Sequence, residues 1–529
     1  MDKKISQKKV SKERPAEHKP LSFSTTMRNP QRIAGFLNCV LPYEGEVLTN
    51  SLIIKIIKHI IGEKLYTPMY VKHSARLKEI FISDAKYSNE ELDEIILNSD
   101  QNHKEAGFDK GWPSRFDTMY KLPMEFGFVY YAMNEPLIIS NVGHMLIDAF
   151  NESPQNDEKI QNVFLNSLMK YQTNNPFRKN ANINVPLLLL LNTIKELKNY
   201  GYDNGVFTKE ISLFICWRDS NYKALAKFIH ELRCSHGYTY SDDTIYDICL
   251  KILGADHSKS KRFKLEQITG EAIDEYIRKM RITGVISLRG NGRFLDTNTF
   301  EEEKIQYIVD KYSVSQQFAS KKEYFDYIGQ IDYKIISIKQ KIVDNLSELK
   351  IKALEKWAVS LDKELVLKEL AALDKKRGCS NEVLRVIDRP TRLEFLTSIA
   401  LKQAFPTVTV LPNYNIDDEG FPTFTAAGGM ADIECFDADC NPLFEVTLMT
   451  SRSQSTNEIP AITRHLNEAI TKYPDKKVFT VFIAPSIHED TKFMAGYSKH
   501  QYGVDIIPLA INDCIDCIKN SNRLINMLM

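Results

Sequence analysis

Two apolar, strand-like runs, "MADIECF" and "PLFEVTLMT", flank the polar loop "DADCN", and an acid interrupts each: Asp432 in the first, Glu445 in the second. Side chains alternate across a strand, so Asp432 shares a face with Glu434, and Glu445 with Thr447. If the strands are neighbours, Asp432 and Glu445 converge near one end of a sheet. Two unit charges ~4 Å apart repel by ~4 kcal/mol at an effective dielectric of ~20. A bare pair would open up or hold a proton. A divalent cation removes the conflict. Mg²⁺ prefers oxygen ligands, usually takes one or two carboxylates, and completes its octahedron with water and phosphate. A cation held in this way suits phosphodiester hydrolysis, because it polarises the phosphate and neutralises charge on the leaving oxygen.

Two further acids flank the strand pair. Glu394 lies on "RPTRLEFLTSIALKQAF" before it, and Glu458 on "NEIPAITRHLNEAITKYP" after it. Glu394 reads as a ligand or water-holder, Glu458 as a base or second ligand. His465 falls on the face of Glu458 two helical turns on, where it could bond a phosphate or shuttle a proton. Singly, each is an ordinary residue: a strand acid on a solvated face, a solvated helix acid, a satisfied histidine. The order lifts the set: helix acid, strand Asp, strand Glu-x-Thr, then polar loop and helix.

The elements that must position these residues follow from the pattern of 381–529. The helix bearing Glu394 leads through a loop, "PNYNIDDEGFPTFTAAGG", to the two strands. Then come the helix of Glu458, the apolar strand "KKVFTVFIAP", the strand "VDIIPLA" and a last helix, "INDCIDCIKNSNRLINML". Helices alternating with strands predict an α/β sandwich with a mixed sheet. Residues 316–380 are charged, helical and poor in Gly and Pro, and read as two or three helices forming a stiff linker that Gly378 stops.

Residues 21–315 read as a mainly helical region of about two subdomains, 21–155 and 156–315. "LTNSLIIKIIKHIIGEKL" has the i, i+3, i+4 apolar pattern of a helix. "FGFVYYAMNEPLIISNVGHMLIDAF" reads as strand, turn, strand, helix. Near 270–295 a helix leads into strands flanking "RGNG", a good hairpin turn. Helix followed by a basic-tipped hairpin is a winged-helix pattern. It places Arg289, Asn291 and Arg293 at a tip that reaches a DNA groove or phosphate, or merely faces water. Arg28 and Arg32 are further base-reading candidates. The stretch 1–20 is a basic, disordered arm that touches phosphates or stays a solvated tail.

Composition bounds these readings. The chain has 529 residues and a formal net charge of zero, but 381–529 holds 13 Lys+Arg against 19 Asp+Glu, leaving 1–380 mildly basic. That split suits a reader joined to a metal-using part. No apolar run approaches the ~20 residues of a bilayer span, and the polar N-terminus is no secretory signal. Nine cysteines on mostly apolar faces fit reduced thiols in the cytoplasm. "CIDC" at Cys514–Cys517 lacks the second pair that zinc needs.

At "LEFLT", "AAGGMADIE", "FEVTLMTSRSQ", "NEIPAITRHLN" and "VFIAPSI" the sequence resembles the PD-(D/E)XK nuclease superfamily. Within it, the chain is similar to type IIS restriction endonucleases of the AlwI and BstNBI kind. "STTMRNPQRIAGFL" and "RKMRITGVISLRGNGRFLD" extend the likeness forward. The resemblance implies a site-specific DNA reader, a helical linker and a cleavage domain over 381–529, with Mg²⁺ as cofactor. Asp432 and Glu445 then become metal ligands, Glu394 and Glu458 completing the cluster. It implies cutting a short distance outside an asymmetric site in double-stranded DNA. It also implies a cognate DNA methyltransferase, and a transient homodimer or a small catalytic partner subunit for the second strand. A strand-specific nickase or the large subunit of a heterodimeric restriction enzyme is the alternative, and a catalytically inactive sequence-specific DNA-binding protein a further one. The usual lysine of the motif is Thr447 here, which brings no positive charge, so the lysine's job must move to the metal, Gln454 or His465.

Overall fold

The computed structural model describes residues 16–23, 27–83, 85–178, 180–312, 315–341, 344–374 and 378–528. Most of the expected basic arm, residues 1–15, lies outside these. Residues 16–23 run along the protein: Ala181 N–H donates to the Glu17 carbonyl at 2.9 Å and Leu21 N–H to that of Ile215 at 2.8 Å.

The first three hundred residues are mostly helical. Helix α1 (Asn50–Gly62) starts where the Thr49 side chain accepts from Leu52 N–H, and it buries Ile53, Ile56, Ile57 and Ile60 at helical spacing. Helices α2 (Trp112–Glu125), α3 (Asn141–Asn151), α4 (Asp157–Leu168), α5 (Pro186–Asn199) and α6 (Tyr222–His236) follow. Short strands β1 (Val129–Tyr130) and β2 (Ile138–Ile139) pair antiparallel just before α3. Strand β3 (Val206–Phe207) lies between α5 and α6. After α7 (Ala272–Arg281), strands β4 (Ile286–Arg289) and β5 (Phe294–Thr297) form the hairpin that "RGNG" predicts, with β3 added in the order β3-β5-β4. Positive φ at Gly290, Asn291 and Gly292 turns the chain there.

The linker differs from its reading. It holds four helices among the described residues: α8 (Lys321–Ile328), α9 (Tyr333–Ser337), α10 (Leu346–Ser360) and α11 (Lys363–Asp374). The first two are tied to α4 through Asn166, which donates to the Gln330 carbonyl and accepts from Asp332 N–H. The last two pack on α12 (Arg389–Ala404), with Leu354, Trp357, Leu367 and Leu370 buried. A charged, Gly-poor stretch looks like a spacer, yet these apolar stripes demand partners.

Helix α12 is buried on nearly every side, Thr391 to Leu401 without a break. Strand β6 (Thr409–Pro412) leads into the segment read as a loop, and that segment itself holds the hairpin β7 (Tyr414–Ile416)–β8 (Pro422–Ala426). Then come β9 (Ile433–Phe436), β10 (Leu443–Val446), α13 (Ile459–Lys472), β11 (Thr480–Ala484), α14 (Glu489–Tyr502), β12 (Ile506–Ala510) and α15 (Ile511–Asn520). The sheet order is β12-β11-β10-β9-β6. β10, β11 and β12 pair parallel, while β9 pairs antiparallel with β10 and β6, so the sheet is mixed as expected. Both edge strands carry a proline, Pro412 and Pro508.

Candidate active site

Asp432 lies one residue before β9, not inside it, and Glu445 is the third residue of β10. The antiparallel register sets Leu443 against Glu434 and Phe444 against Ile433. Continued by one residue, it sets Glu445 opposite Asp432, where side chains share a face. Asp432 Oδ2 accepts from Val446 N–H at 2.7 Å, so a side chain closes the ladder at this end. Glu394 projects from α12 at 3% exposure, its Oε2 accepting from Ala426 N–H at 2.9 Å. Glu458 ends a π-turn, Gln454–Glu458, that opens α13. Two turns along, His465 Nδ1 stands 2.9 Å from Glu445 Oε1.

These carboxylates raise one another's proton affinity. Burial, then Glu394 and Glu445, push Asp432 well above the ordinary range, and Glu458 adds to it. Burial pushes Glu394 up to about 8, with Glu445 adding to the rise and Ala426 N–H and Lys350 opposing it. Glu445 is raised by burial against the pull of His465, and Glu458 by burial and then Glu445. The hydrogen bond to Glu445 raises His465.

Among the described residues no three His, Cys, Asp or Glu side chains close around a common point as they stand. One oxygen each of Asp432, Glu394 and Glu445 is engaged by Val446, Ala426 and His465 respectively. Mg²⁺ needs only one or two protein carboxylates. An oxygen-only donor set short of positive charge fits that cation.

Thr447 ends β10's run. Its N–H donates to the Ile483 carbonyl at 2.9 Å and its Oγ1 accepts from Met449 N–H at 3.2 Å. Gln454, one of the groups expected to stand in for the missing lysine, is committed elsewhere. Its amide donates to the Met449 and Ser486 carbonyls at 2.8 and 2.7 Å. Its Oε1 accepts from His488 N–H and Thr491 Oγ1. It is fully buried and pins the turn rather than serving the site.

The pattern of residues missed Lys350. It arrives from α10, in the stretch read as linker, and its Nζ donates to the Asn413 carbonyl at 3.0 Å. Burial lowers it to about 8, while Glu394 acts to hold its charge. Among so many lysines in a charged helical stretch, no local signal marks this one. Asp157 also contributes, raising Glu394 from the start of α4, where it accepts from Asn415 Nδ2 at 2.9 Å. The loop entering Asp432 is close to the same region: a Cβ on Gly428 would come within 2.8 Å of Pro154 Cβ. The carboxylates therefore lie beside the seam between the helical half and the sheet.

The five expected DNA-contacting residues do not form one surface. Arg289 is turned inward, its guanidinium bonded to Asp296 at 2.7 Å, Asp418 at 2.8 Å, Glu419 and the Thr297 carbonyl. Carboxylates in the β7–β8 turn outcompete solvent for it, so it is not a free tip residue. Asn291 and Arg293 are exposed, Arg293 lying over the Phe207 and Phe294 rings. Arg28 pairs with Glu271 at 3.1 Å, and Arg32 donates to the Leu65 carbonyl. All nine cysteines are free, Cys514 buried and Cys517 half-buried on α15.

A model of the AlwI restriction endonuclease family matches residues 124–334 and 315–517. The chain belongs to the AlwI restriction endonuclease family. An AlwI-family chain is a nuclease by class. No curated protein matches it in sequence. Among solved structures, it is similar to the small subunit of the heterodimeric restriction endonuclease R.BspD6I, at 23% identity over 29% of this chain and 75% of that one, with a TM-score of 0.25. The BpuJ1 endonuclease binding domain, solved with modified DNA, matches at 12% identity over 60% of this chain and 98% of that one, with a TM-score of 0.36. The restriction endonuclease FokI matches at 11% identity over 97% of each chain, with a TM-score of 0.25. Among the described residues of this AlwI-family member, no helix is long and apolar enough to cross a membrane.

Proposed function

We propose that the protein is a Mg²⁺-dependent, type IIS restriction endonuclease. In this reading 381–529, joined by α10 and α11, carries a PD-(D/E)XK cleavage unit. The helical region before about residue 340, with winged-helix-like hairpins, reads double-stranded DNA. One observation carries the reading: carboxylates from a helix, a strand, the entry to its neighbour and a π-turn lie buried close enough to raise one another's proton affinity. Such a gathering is unfavourable without a cation.

When bound, Mg²⁺ supplies charge neutralisation and Lewis acidity at the phosphate. Asp432 and Glu445 hold it, with Glu394 as a further ligand or a holder of water. Glu458, whose proton affinity burial raises, accepts a proton from the attacking water. His465 fixes the orientation of Glu445 through Nδ1. Thr447 brings no charge, and Lys350 offsets part of the negative charge of Glu394.

One cluster hydrolyses one strand. Double-strand cutting then takes a second copy or a small catalytic subunit, and the cell needs a cognate methyltransferase to protect its own DNA. Incubation with Mg²⁺ and supercoiled plasmid, followed by end sequencing, tests the reading. Ends at a fixed offset from one motif, lost in Asp432→Ala, support it; random ends, or an unchanged mutant, refute it. Open-circle product identifies a strand-specific nickase, linear product a double-strand enzyme.

A further inference from the structure

A second charged feature lies on another part of α12 from the carboxylates. A cavity of about 850 Å³ opens between the Arg28–Arg32 segment, α7 and the start of α12. Four of the arginines that line it have no carboxylate partner of their own. Arg32 donates to the Leu65 carbonyl, Arg278 to that of Arg385, Arg389 to that of Leu373 at 2.9 Å, and Arg392 to that of Leu384 at 3.2 Å. None of the four takes part in an ion pair among the described residues. Asp388, itself bonded by Asn29, is the carboxylate that acts on Arg32 and Arg389, while Arg278 feels Asp274 first and Asp388 second. Arg389 Nε is buried with no acceptor. The other two lining arginines are neutralised, Arg28 by Glu271 and Arg385 by Asp274.

Six arginines and four acids, Glu271, Asp274, Glu275 and Asp388, line the cavity, so guanidinium groups outnumber carboxylates around an open space. Partial burial lowers Arg32, Arg278 and Arg389, a cost that a bound anion would repay. Planar, multi-donor guanidinium groups match the oxygens of phosphate with paired hydrogen bonds.

We propose that this arginine-lined cavity is a phosphate-binding site that grips the phosphodiester backbone at the seam between the helical half and the sheet. The identity of the ligand as DNA rests on the nuclease reading; the phosphate chemistry does not.

The test uses the full chain in EDTA, so that no cleavage intervenes. Affinity for a short fluorescent duplex is measured against salt, for the wild type and for Arg32→Gln/Arg389→Gln. Losing two phosphate contacts lowers the slope of log K against log salt by about 2, with roughly tenfold weaker binding at moderate salt. Arg32→Lys/Arg389→Lys, which keeps the charge, retains most of the slope. If the double Gln variant fails to fold, Arg32→Gln alone lowers the slope by about 1. A parallel arm adds inorganic pyrophosphate and reads the thermal midpoint. Stabilisation of the wild type but not of the Gln variant, with an unchanged DNA slope, supports the site and assigns it to a free phosphate compound. An unchanged slope without pyrophosphate stabilisation overturns it. Plasmid cleavage by the wild type and Asp432→Ala is scored separately, so a failed nuclease reading and a failed cavity give different results.

Discussion

Arg289 Nη2 lies 2.8 Å from Asp418 Oδ2, across 129 residues of chain, joining the β4–β5 hairpin to the β7–β8 turn. Asp418 also accepts from Ser287 Oγ and from the N–H and Oγ1 of Thr299. Its side chain is 4% exposed and that of Arg289 17%. Removing one partner of a buried pair leaves the other uncompensated. Asp418→Ala is therefore expected to cost about 3 kcal/mol of unfolding free energy in urea titrations. Glu419→Gln, whose side chain is 35% exposed against 4% for Asp418, costs less, about 1 kcal/mol. Equal losses would show that the lock is diffuse.

Asp432→Asn and Glu445→Gln remove charge from a crowded site while keeping shape. Both are proposed cation ligands, so their loss is expected to lower cleavage at least ~10³-fold. Without divalent cation, Asp432→Asn should melt no lower than the wild type, because a costly buried charge has gone. Calcium, added as a non-turnover probe, should raise the wild-type midpoint and leave that of Asp432→Asn unmoved. A calcium response retained in full by the variant would place the cation elsewhere.

Glu394, pushed up to about 8 by burial, sets a pH dependence. A carboxyl whose folded pKa is raised stabilises the fold fully below its unfolded value and loses that contribution as pH rises through the folded one. In EDTA the protein should lose stability from about pH 5 to about pH 8 through this group. Added divalent cation should restore more stability near the top of that window than at its foot. Glu394→Gln should flatten both trends, as read by thermal melts across pH.

His465 Nδ1 lies 2.9 Å from Glu445 Oε1, and in the proposed mechanism it positions that carboxylate. His465→Ala should lower activity by about 10–100-fold at limiting Mg²⁺, with partial recovery at high Mg²⁺. A loss that no Mg²⁺ concentration relieves would instead make His465 a participant in proton transfer.

The periodicity of α1, the turn "RGNG" and the mixed sheet could be read from residue order, because each rests on contacts close in sequence or on a repeating apolar face. So could the neighbourhood of Glu394, Asp432, Glu445 and Glu458, since acids set within or beside apolar runs need a reason. Helix α14 escaped notice because it buries only Thr491, Ala495 and Ser498, residues that make no apolar stripe. The inward turn of Arg289 and the arrival of Lys350 depend on partners far away in the chain, and no local pattern records those. The linker misled for the same reason: its charge is visible in the sequence, but the surface its apolar side covers is not.

Pro412 and Pro508 have a consequence for assembly. A proline on an outermost strand faces its missing donor outward, so each rim of the five-stranded sheet has a gap in its hydrogen-bonding row. Two molecules cannot fuse their sheets into one continuous ribbon across such rims. Self-association of this part of the protein would therefore be made by helices and loops, an arrangement that comes apart more readily than a shared sheet.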